Sequence, residues 1–300
     1  MTATASSERR RAGCAFTLAA CRDHTYAPRF LRLVRQASPR HLRAAARAVL
    51  PFAEPESWLD VGTGDARFPE AAKDVLPYTA FDGLDPTHRV LHARVAERIE
   101  EAHVGLLTDP RITTRLRTRY DVVSMLRHLE HTPDPRAELR AALAVLRPGG
   151  HLVLELPNPR SAFALLFGAA WIPQSPHGHL HLLPLRTLHE ELRSLGCTIV
   201  ATDRRTPHIP YDLAATIALV LNLLLGPVLA VLGAPLVAAA WMIDLILAPV
   251  LRRTPLSNGY RVVARKEPIT QRAPAAPAPR TAPSGPTAPA GPTAPASPPA

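Results

Sequence analysis

The sequence predicts an α/β fold built on an open, doubly wound and mostly parallel sheet. Short apolar strands alternate with amphipathic helices over residues 56–203, which is the order expected when helices cover both faces of a parallel sheet. The first of these strands runs directly into a glycine turn, LDVGTGDARF, from Leu59 to Phe68. Asp134 followed by Pro135 marks the start of a connecting helix, because the aspartate can cap a helix that begins with proline.

The elements follow one another in a regular order. A helical pattern, RHLRAAARAVLPF, precedes the first strand. Strands are expected at SWLDV, YTAFDGLD, AHVGLLTD, YDVVSM, HLVLEL and CTIVATD, with GYRVVARK as the last strand. The helix that starts at Pro135 ends before Gly149-Gly150, and a second helix, LRTLHEELRSLG, is closed by Gly196. Ligands of such a sheet bind beyond the carboxyl ends of its strands.

Composition and charge argue against nucleic-acid binding, a cysteine metal site and a disulfide-rich fold. The net charge is +10, but the arginines are scattered and no basic run is longer than Arg9-Arg10-Arg11, so nucleic-acid binding is not expected. The three cysteines show neither metal-ligand spacing nor a disulfide framework, which fits a reducing, cytoplasmic compartment: Cys14, Cys21 and Cys197.

Five regions separate by composition. Residues 1–55 form an N-terminal helical segment, residues 56–212 the α/β domain, and residues 213–251 an apolar helical hairpin. Residues 252–268 supply the last strand. The tail, 269–300, contains the near-repeats TAPSGP, TAPAGP and TAPASP, and its proline and alanine content predicts a disordered coil.

The glycine turn fits neither of two common phosphate-binding patterns. A dinucleotide fingerprint, G-x-G-x-x-G/A, fails because Arg67 occupies its sixth position, and the spacing and lysine of a P-loop are absent. What remains is Gly62, Gly64 and Ala66, followed about twenty residues later by Asp85 at the end of the second strand. A carboxylate at that place can bind a ribose diol. The turn therefore predicts a nucleoside ligand without a pyrophosphate.

Five motifs together resemble those of the class I S-adenosylmethionine-dependent methyltransferases, especially the group that acts on small molecules and lipids. They are LDVGTGDA, GLDPT, YDVVSMLRHLEHTPDP, LRPGGHLVLELPNP and HGHLHLLPLRTLHEELRSLGC. The resemblance covers residues 56–203 and implies a seven-stranded Rossmann-like sheet with residues 56–212 as the methyltransferase domain. It also implies S-adenosyl-L-methionine as the cofactor.

The resemblance assigns roles to individual residues. Backbone at Gly62 and Gly64 approaches the methionine part of the cofactor, and Asp60 orients its amino group. Asp85 binds the ribose hydroxyls, and Asp109 is placed for the adenine amine. The expected cofactor-binding residues are Asp60, Gly62, Gly64, Ala66, Asp85 and Asp109. Among them Ala66 departs from the family, which usually has a third glycine there.

Two histidines follow the fourth strand, where the methyl acceptor must lie. His128 and His131 are candidate general bases, because the pKa of imidazole lies near neutrality. They flank Glu130 in the triplet LEH, which occurs in relatives with very different acceptors, so a loop-shaping role is the alternative. In-line methyl transfer itself mainly requires that nucleophile and methyl group are aligned.

Two other features have more than one interpretation. His177, His179 and His181 alternate, so they would face one side of an extended segment. Without acidic or cysteine partners they favour a pocket lining or loop structure over a metal site, and no metal is expected. Tyr26 either closes over the cofactor or packs against a helix.

The apolar segment 213–251 contains a single charge, Asp244. About twenty residues span a bilayer as one helix, so this length allows two short spans with a turn at Gly233-Ala234-Pro235. Arg204-Arg205 before it and Arg252-Arg253 after it favour a cytoplasmic position for both ends. If CTIVATD and GYRVVARK are neighbouring strands, a single crossing is excluded. A spanning hairpin, a re-entrant pair and a pair lying in the interface are all open.

The alternative for this segment is a soluble cap over the sheet or in a dimer. Because it is apolar on all sides rather than striped, membrane association is favoured, with Asp244 facing the hairpin partner or the mouth of the active site. The expected function is methyl transfer to a lipid, quinone-like or lipid-linked acceptor on the cytoplasmic side of the membrane. The alternatives are a soluble methyltransferase of small metabolites with the apolar pair as a lid, and a non-catalytic cofactor-binding scaffold.

Overall fold

The structure is a computed structural model that describes residues 38–52, 54–168 and 181–267. Several sequence-based expectations concern residues outside these ranges. They are the role of Tyr26, the alternation that includes His177 and His179, and the disordered tail.

The strands of the described residues form one seven-stranded sheet in the order β3-β2-β1-β4-β5-β7-β6. They are β1 (Ser57–Val61), β2 (Ala80–Asp85), β3 (Ala102–Val104), β4 (Tyr120–Leu126), β5 (Leu146–Pro157), β6 (Cys197–Asp203) and β7 (Gly259–Lys266). The pairs among β1 to β5 are parallel, whereas β7 is antiparallel to β5 and to β6. The predicted mostly parallel, seven-stranded fold is therefore confirmed.

Helices cover both faces of the sheet. They are α1 (Pro39–Arg47), α2 (Arg67–Lys73), α3 (Arg89–Val95), α4 (Pro110–Arg115), α5 (Pro135–Val145), α6 (Ala162–Phe167), α7 (Leu185–Ser194), α8 (Asp212–Leu229) and α9 (Ala234–Leu251). One core packs α1, α2 and α3 against Trp58, and the other packs α5 and α7 against Leu59. Neighbouring residues of β1 thus face opposite cores, as the alternation of a strand requires.

Local signals in the sequence explain where these elements end. The Asp134 carboxylate accepts hydrogen bonds from the backbone of Arg136 and Ala137, both at 3.0 Å, and so caps α5. The third strand is shorter than predicted, because the chain turns away at Gly105, whose φ is +142°. This φ favours glycine, and a β carbon on Gly105 would also lie 2.5 Å from Cδ1 of Ile112, whose side chain would have to shift.

The apolar segment folds as a pair of helices, α8 and α9, joined by a 3₁₀ turn at Ala230–Gly233, and α8 is interrupted by a kink at Gly226, whose φ of +74° is not helical. Its one carboxylate, Asp244 on α9, accepts hydrogen bonds from the backbone of Leu213 at 3.1 Å and Ala214 at 3.0 Å. The first turn of α8 is thereby capped from the other helix. Of the two positions expected for Asp244, the hairpin partner and the active-site mouth, the structure shows the first, because Asp244 faces α8.

The base of the hairpin is fixed to the sheet. Asn258, just before β7, donates to the Asp212 carboxylate and to the carbonyl of Ile209, both at 2.6 Å. The backbone carbonyl of Asn258 accepts from Asn158, which follows β5. Because β6 and β7 are neighbours, the hairpin leaves and returns at the same edge of the sheet, and this edge contains the carboxyl end of β5.

Candidate active site

Three turns meet at the carboxyl edge of the sheet, after β1, β2 and β4. The backbone amides of Gly62 and Thr63 donate to the carbonyl of Leu84 at 2.8 and 3.2 Å. The amide of Gly64 donates to Oδ2 of Asp85 at 2.9 Å. The hydrogen bonds therefore join the glycine turn to the end of β2 and place Asp85 beside the turn, whereas its role as a ribose ligand stays a prediction.

The Asp85 carboxylate is oriented by the chain. Its Oδ1 accepts from the backbone amide and the hydroxyl of Thr87, at 2.8 and 2.5 Å. Together with Gly64 these are three donors, and a carboxylate has about four acceptor positions. Binding of two ribose hydroxyls thus requires that the rotatable hydroxyl of Thr87 turns away, while both backbone donors stay in place.

His128 packs directly on the glycine turn. A β carbon on Gly62 would lie 2.3 Å from Nδ1 of His128, and Gly62 has a φ of +75°. Both the missing space and the left-handed backbone therefore require glycine at this position. The contact brings the loop after β4 against the turn after β1, so a ligand held by the turn lies next to the LEH loop.

The second half of the turn is also left-handed. Gly64 has a φ of +54°, and Ala66, which is buried, has a φ of +55°. An L-residue in this conformation costs about 1 kcal/mol relative to glycine, which accounts for the glycine usual at this place in the resembling family. Ala66 is compatible with the turn geometry, and its methyl group packs in the core that contains Trp58.

Asp60 lies under the turn, at the end of a buried hydrogen-bond chain. The indole N–H of Trp58 donates to the hydroxyl of Ser124 at 2.8 Å, and that hydroxyl donates to Oδ1 of Asp60 at 2.6 Å. Burial raises the pKa of Asp60 to about 6 although the Ser124 hydrogen bond opposes this shift. At neutral pH the carboxylate is therefore mostly ionised and suited to a cationic amino group.

The two candidate histidines occupy different positions. The ring of His128 is held between the glycine turn and α5, where its Nε2 lies 3.3 Å from Oε1 of the buried Glu138. His131 ends a 3₁₀ turn, Leu129–His131, and its amide donates to the carbonyl of His128. The structure thus gives His128 a contact with the ligand-binding turn, whereas the catalytic roles of both histidines stay predictions.

Glu130, between them, was not chosen as a site residue from the sequence. It is fully buried, and among the described residues neither carboxylate oxygen has a hydrogen-bond partner on another residue. Burial raises its pKa to about 7, against the opposing charges of Arg127 and His128. The LEH triplet pointed to this place, but only the fold shows that the middle residue is the buried one.

An ionic network lies beside Glu130. Glu155 on β5 accepts from Arg261 at 2.7 and 3.1 Å and lies 2.7 Å from Nε2 of His41 on α1. Burial alone would raise the pKa of Glu155, but Arg261 and His41 lower it to about 2. The guanidinium of Arg127 lies 3.9 Å from the same carboxylate, and Arg127 has a left-handed backbone with a φ of +57°. These contacts fix the strand end from which the LEH loop departs.

Asp109 and His181 have structural contacts. Asp109 caps α4, because its carboxylate accepts from the amide of Arg111 at 2.9 Å, and so it lies beyond the end of β3. Nε2 of His181 lies 3.0 Å from the carbonyl of Pro133. The adenine role of Asp109 and the pocket role of His181 stay predictions.

One group of side chains in the described ranges has metal-compatible spacing: Asp82, Glu101 and His103. Arg119 donates to both carboxylates, at 3.2 and 2.6 Å, and the hydroxyl of Tyr120 donates to Asp82 at 2.7 Å. Arg115 lies 2.9 Å from Nδ1 of His103. A cation would have to compete with two guanidinium groups here, so the group is a hydrogen-bond network.

Comparison with known proteins shows which protein family this chain matches. The sequence pattern described as a methyltransferase domain matches residues 29–202. The ubiquinone biosynthesis O-methyltransferase of Bordetella avium is 26% identical over 145 residues, which cover 46% of this chain and 60% of that enzyme. The enzyme of the same name from Parvibaculum lavamentivorans is 28% identical over 185 residues, covering 58% and 70%. The chain thus spans less than two thirds of the length of the Bordetella relative.

Solved structures share the fold. The [4+2]-cyclase SpnF matches with a TM-score of 0.50 and 20% identity, covering 76% of this chain and 80% of that protein. A methyltransferase from Haloferax volcanii, solved with its Trm112 activator, matches with a TM-score of 0.52 and 16% identity, covering 76% and 89%. At these identities the similarity concerns the fold alone.

Proposed function

This chain belongs to the class I S-adenosylmethionine-dependent methyltransferases, and from that premise we propose that it methylates a quinone-like or other lipid acceptor at a membrane surface. The arrangement of Gly62, Gly64 and Asp85 carries the proposal. The two glycines leave space beside the Asp85 carboxylate, which the Gly64 amide holds in place. The side chain of His128, in the loop after β4, packs against Gly62. The cradle fits a nucleoside with an amino acid arm.

The residues of the turn have separate tasks in this proposal. S-adenosyl-L-methionine supplies an electrophilic methyl group on its sulfonium. Asp85 would accept hydrogen bonds from the ribose, and Asp60, which is mostly ionised at neutral pH, would bind the amino group. Holding the cofactor at both ends fixes the direction in which the methyl group points, and alignment is the main requirement of the reaction.

A hydroxyl acceptor must also lose its proton. As the new oxygen–carbon bond forms and the carbon–sulfur bond breaks, the hydroxyl proton passes to a base. We assign this role to Glu130, because it follows β4 and is buried without a hydrogen-bond partner on another described residue. Its pKa of about 7 is suited to accepting a proton at neutral pH.

The hairpin supports a membrane-borne acceptor. Small side chains, Ala214, Ala218, Val237 and Ala240, are buried between the helices, and Leu213, Ile217, Leu221 and Trp241 pack against them half-buried. Large apolar side chains point outward, and Leu224, Leu232 and Ile246 are each more than two-thirds exposed. A contiguous apolar surface that is this exposed is typical of a membrane or protein contact, and it supports contact with lipid here. Of the described helices, only α9 is long and apolar enough to cross a membrane, and 22% of it is buried.

The quinone-like acceptor rests on the relatives, which are named as ubiquinone biosynthesis O-methyltransferases. The test is transfer of a labelled methyl group from S-adenosylmethionine into a total lipid extract of the source membrane. We expect label in a chloroform-soluble product that chromatographs with quinone-like or phenolic lipids, and clearly less label with the Asp85→Ala variant. Label found only in water-soluble products would favour the soluble metabolite enzyme. Cofactor binding without any label transfer would favour the non-catalytic scaffold.

A further inference from the structure

A wide cleft opens at the carboxyl edge of the sheet, between α7, the end of β6 and the loop after β5. Its volume is about 810 Å³, and Asn158 and Tyr260 lie in its wall. The polar lining is mostly cationic: Arg160, Arg186, Arg193 and Arg204. None of these residues belongs to the glycine turn after β1 or to the LEH loop after β4.

The positive charge of this cleft is largely uncompensated. Arg186 pairs with Glu190 at 2.9 Å, whereas no ion pair is found for the other three arginines within the part of the chain that the structure describes. Burial, and the nearby charges of Arg193 and Arg204, lower the pKa of His189, so that the imidazole is neutral at pH 7. The cleft thus presents arginine side chains to an anion.

A second basic cleft lies at the foot of the hairpin. Its volume is about 640 Å³, and it is lined by Arg40, Arg205, Arg252 and Arg253 together with Trp241 and Leu245 of α9. Its lining residues include no carboxylate. The arginines that border the hairpin in the sequence therefore divide between two clefts in the fold.

Both clefts continue into exposed apolar surface. Leu165 of α6 lines the first cleft, and it is exposed together with its neighbour Leu166. The same helix packs on the hairpin, because its buried Phe163 and Ala164 form a cluster with Leu213 and Leu251. In the second cleft the apolar wall is the hairpin itself. Each cleft thus joins cationic side chains to an apolar surface.

We propose that the two clefts bind the phosphate groups of anionic phospholipids when the hairpin enters a bilayer. The proposal rests on the membrane contact proposed above and adds a preference for anionic lipid. The anionic headgroup of such a lipid matches the positive charge of the clefts, and its acyl chains match the neighbouring apolar surface. A second copy of this chain would cover the apolar surface but would place like charges together, so it fits less well.

The test uses the full chain and vesicles of phosphatidylcholine with or without about one third phosphatidylglycerol. Each arginine near an anionic leaflet strengthens binding about fivefold, so losing two should weaken binding to anionic vesicles about 25-fold. The Arg193→Gln/Arg204→Gln and Arg252→Gln/Arg253→Gln variants should show this loss, with unchanged binding to neutral vesicles. The control, Arg111→Gln/Arg140→Gln, removes the same charge from α4 and α5.

Three results would overturn the proposal. One is equal binding of the unmodified chain to neutral and anionic vesicles, and another is an equal loss in the cleft and control variants. The third is competition by inorganic phosphate beyond that of chloride at equal ionic strength, which would identify sites for free phosphate. Methyl transfer to an acceptor in neutral vesicles is measured in parallel, so that failure of this proposal is distinguishable from failure of the enzymatic function.

Discussion

At the scale of single residues, Asp85 is held by the backbone of the glycine turn and is the proposed ligand of the cofactor ribose. Its carboxylate accepts from the Gly64 amide and from the Thr87 amide, so both oxygens are held in place before any ligand binds. An acceptor fixed in this way keeps its orientation when ribose hydroxyls approach, and only the hydroxyl of Thr87 has to turn away. Its removal should therefore affect binding more than folding.

We expect Asp85→Ala to weaken binding of S-adenosylhomocysteine at least tenfold, because hydrogen bonds to a charged group contribute about 1.5–3 kcal/mol. Titration calorimetry measures the loss. Asp85→Asn retains an acceptor for Gly64 and separates the ribose contact from the integrity of the turn. Asp82→Asn is the matched control on the same strand, since Asp82 contacts Tyr120 and not the turn. Equal affinities for Asp85→Ala and Asp82→Asn would remove Asp85 from the site.

Glu130 leads to a prediction about pH. Burial raises its pKa in the folded protein to about 7, from the 4.5 usual for glutamate, and the ionised form accepts the proton. Activity on a hydroxyl acceptor should thus rise as the pH passes through 7. The Glu130→Gln variant should be about a hundredfold less active and should lose this rise. If the variant keeps the rise near pH 7, His128 and His131 become the stronger candidates.

The raised pKa of Glu130 also makes the stability of the fold depend on pH, and stability falls over the range in which activity rises. A carboxyl whose folded pKa is raised stabilises the fold below its unfolded pKa, and this contribution is lost as the pH rises from about 4.5 to about 7. The free energy of unfolding of the unmodified protein, measured in urea, should therefore decrease more between pH 5 and pH 8 than that of Glu130→Gln. The comparison reports on burial of Glu130 independently of activity.

Single residues of the site differ in how far the sequence could predict them. The glycine turn and Asp85 are local motifs whose spacing already places them together. The burial of Glu130 and the packing of His128 on Gly62 depend on how the loop after β4 folds against β1. Spacing along the chain contains no information on that contact, so the sequence suggested the two histidines and passed over the glutamate.

At the scale of elements, the hairpin depends on one polar contact inside an apolar pair. Asp244 caps the first turn of α8 through Leu213 and Ala214. The sequence predicted the turn near Gly233 and a partner for Asp244, because a lone charge in an apolar segment needs a polar contact. It did not predict which backbone groups satisfy Asp244, since these lie about thirty residues away along the chain.

Asp244→Ala should lower the stability of the helix pair by about 0.5–2 kcal/mol, because two amides of α8 lose their acceptor. Hydrogen exchange in detergent micelles measures the effect as faster exchange at Leu213 and Ala214. Asp244→Asn retains one acceptor oxygen and should show a smaller change. Equal exchange rates in all three proteins would mean that the cap does not stabilise the hairpin.

At the scale of the whole molecule, the sheet places the glycine turn, the LEH loop and the base of the hairpin at the carboxyl edge of its parallel strands. Periodicity in the sequence predicted the strands, and the bounds of β1, β6 and β7 agree with the prediction. The insertion of β7 between β5 and β6 is a long-range pairing that periodicity does not contain. The resemblance to a known family predicted seven strands, whereas the place of β7 within the sheet is known only from the structure.

The central claim is that the hairpin brings the catalytic domain to an acceptor in the membrane. It is tested most directly by replacing residues 213–251 with a short Gly/Ser linker. Asp212 and Asn258 remain, and with them the contact that holds the ends of the segment together. Methyl transfer is then measured on a long-chain quinone-like acceptor in vesicles and on its short-chain, water-soluble analogue.

We expect the replaced protein to bind cofactor with unchanged affinity and to keep its activity on the soluble analogue. Activity on the vesicle-borne acceptor should fall at least tenfold, since burial of about 0.8 kcal/mol per CH₂ no longer holds the enzyme at the surface. Equal activity of both proteins on the vesicle-borne acceptor would contradict the account. So would an equal loss on both acceptors, which would identify the hairpin as a lid over the active site.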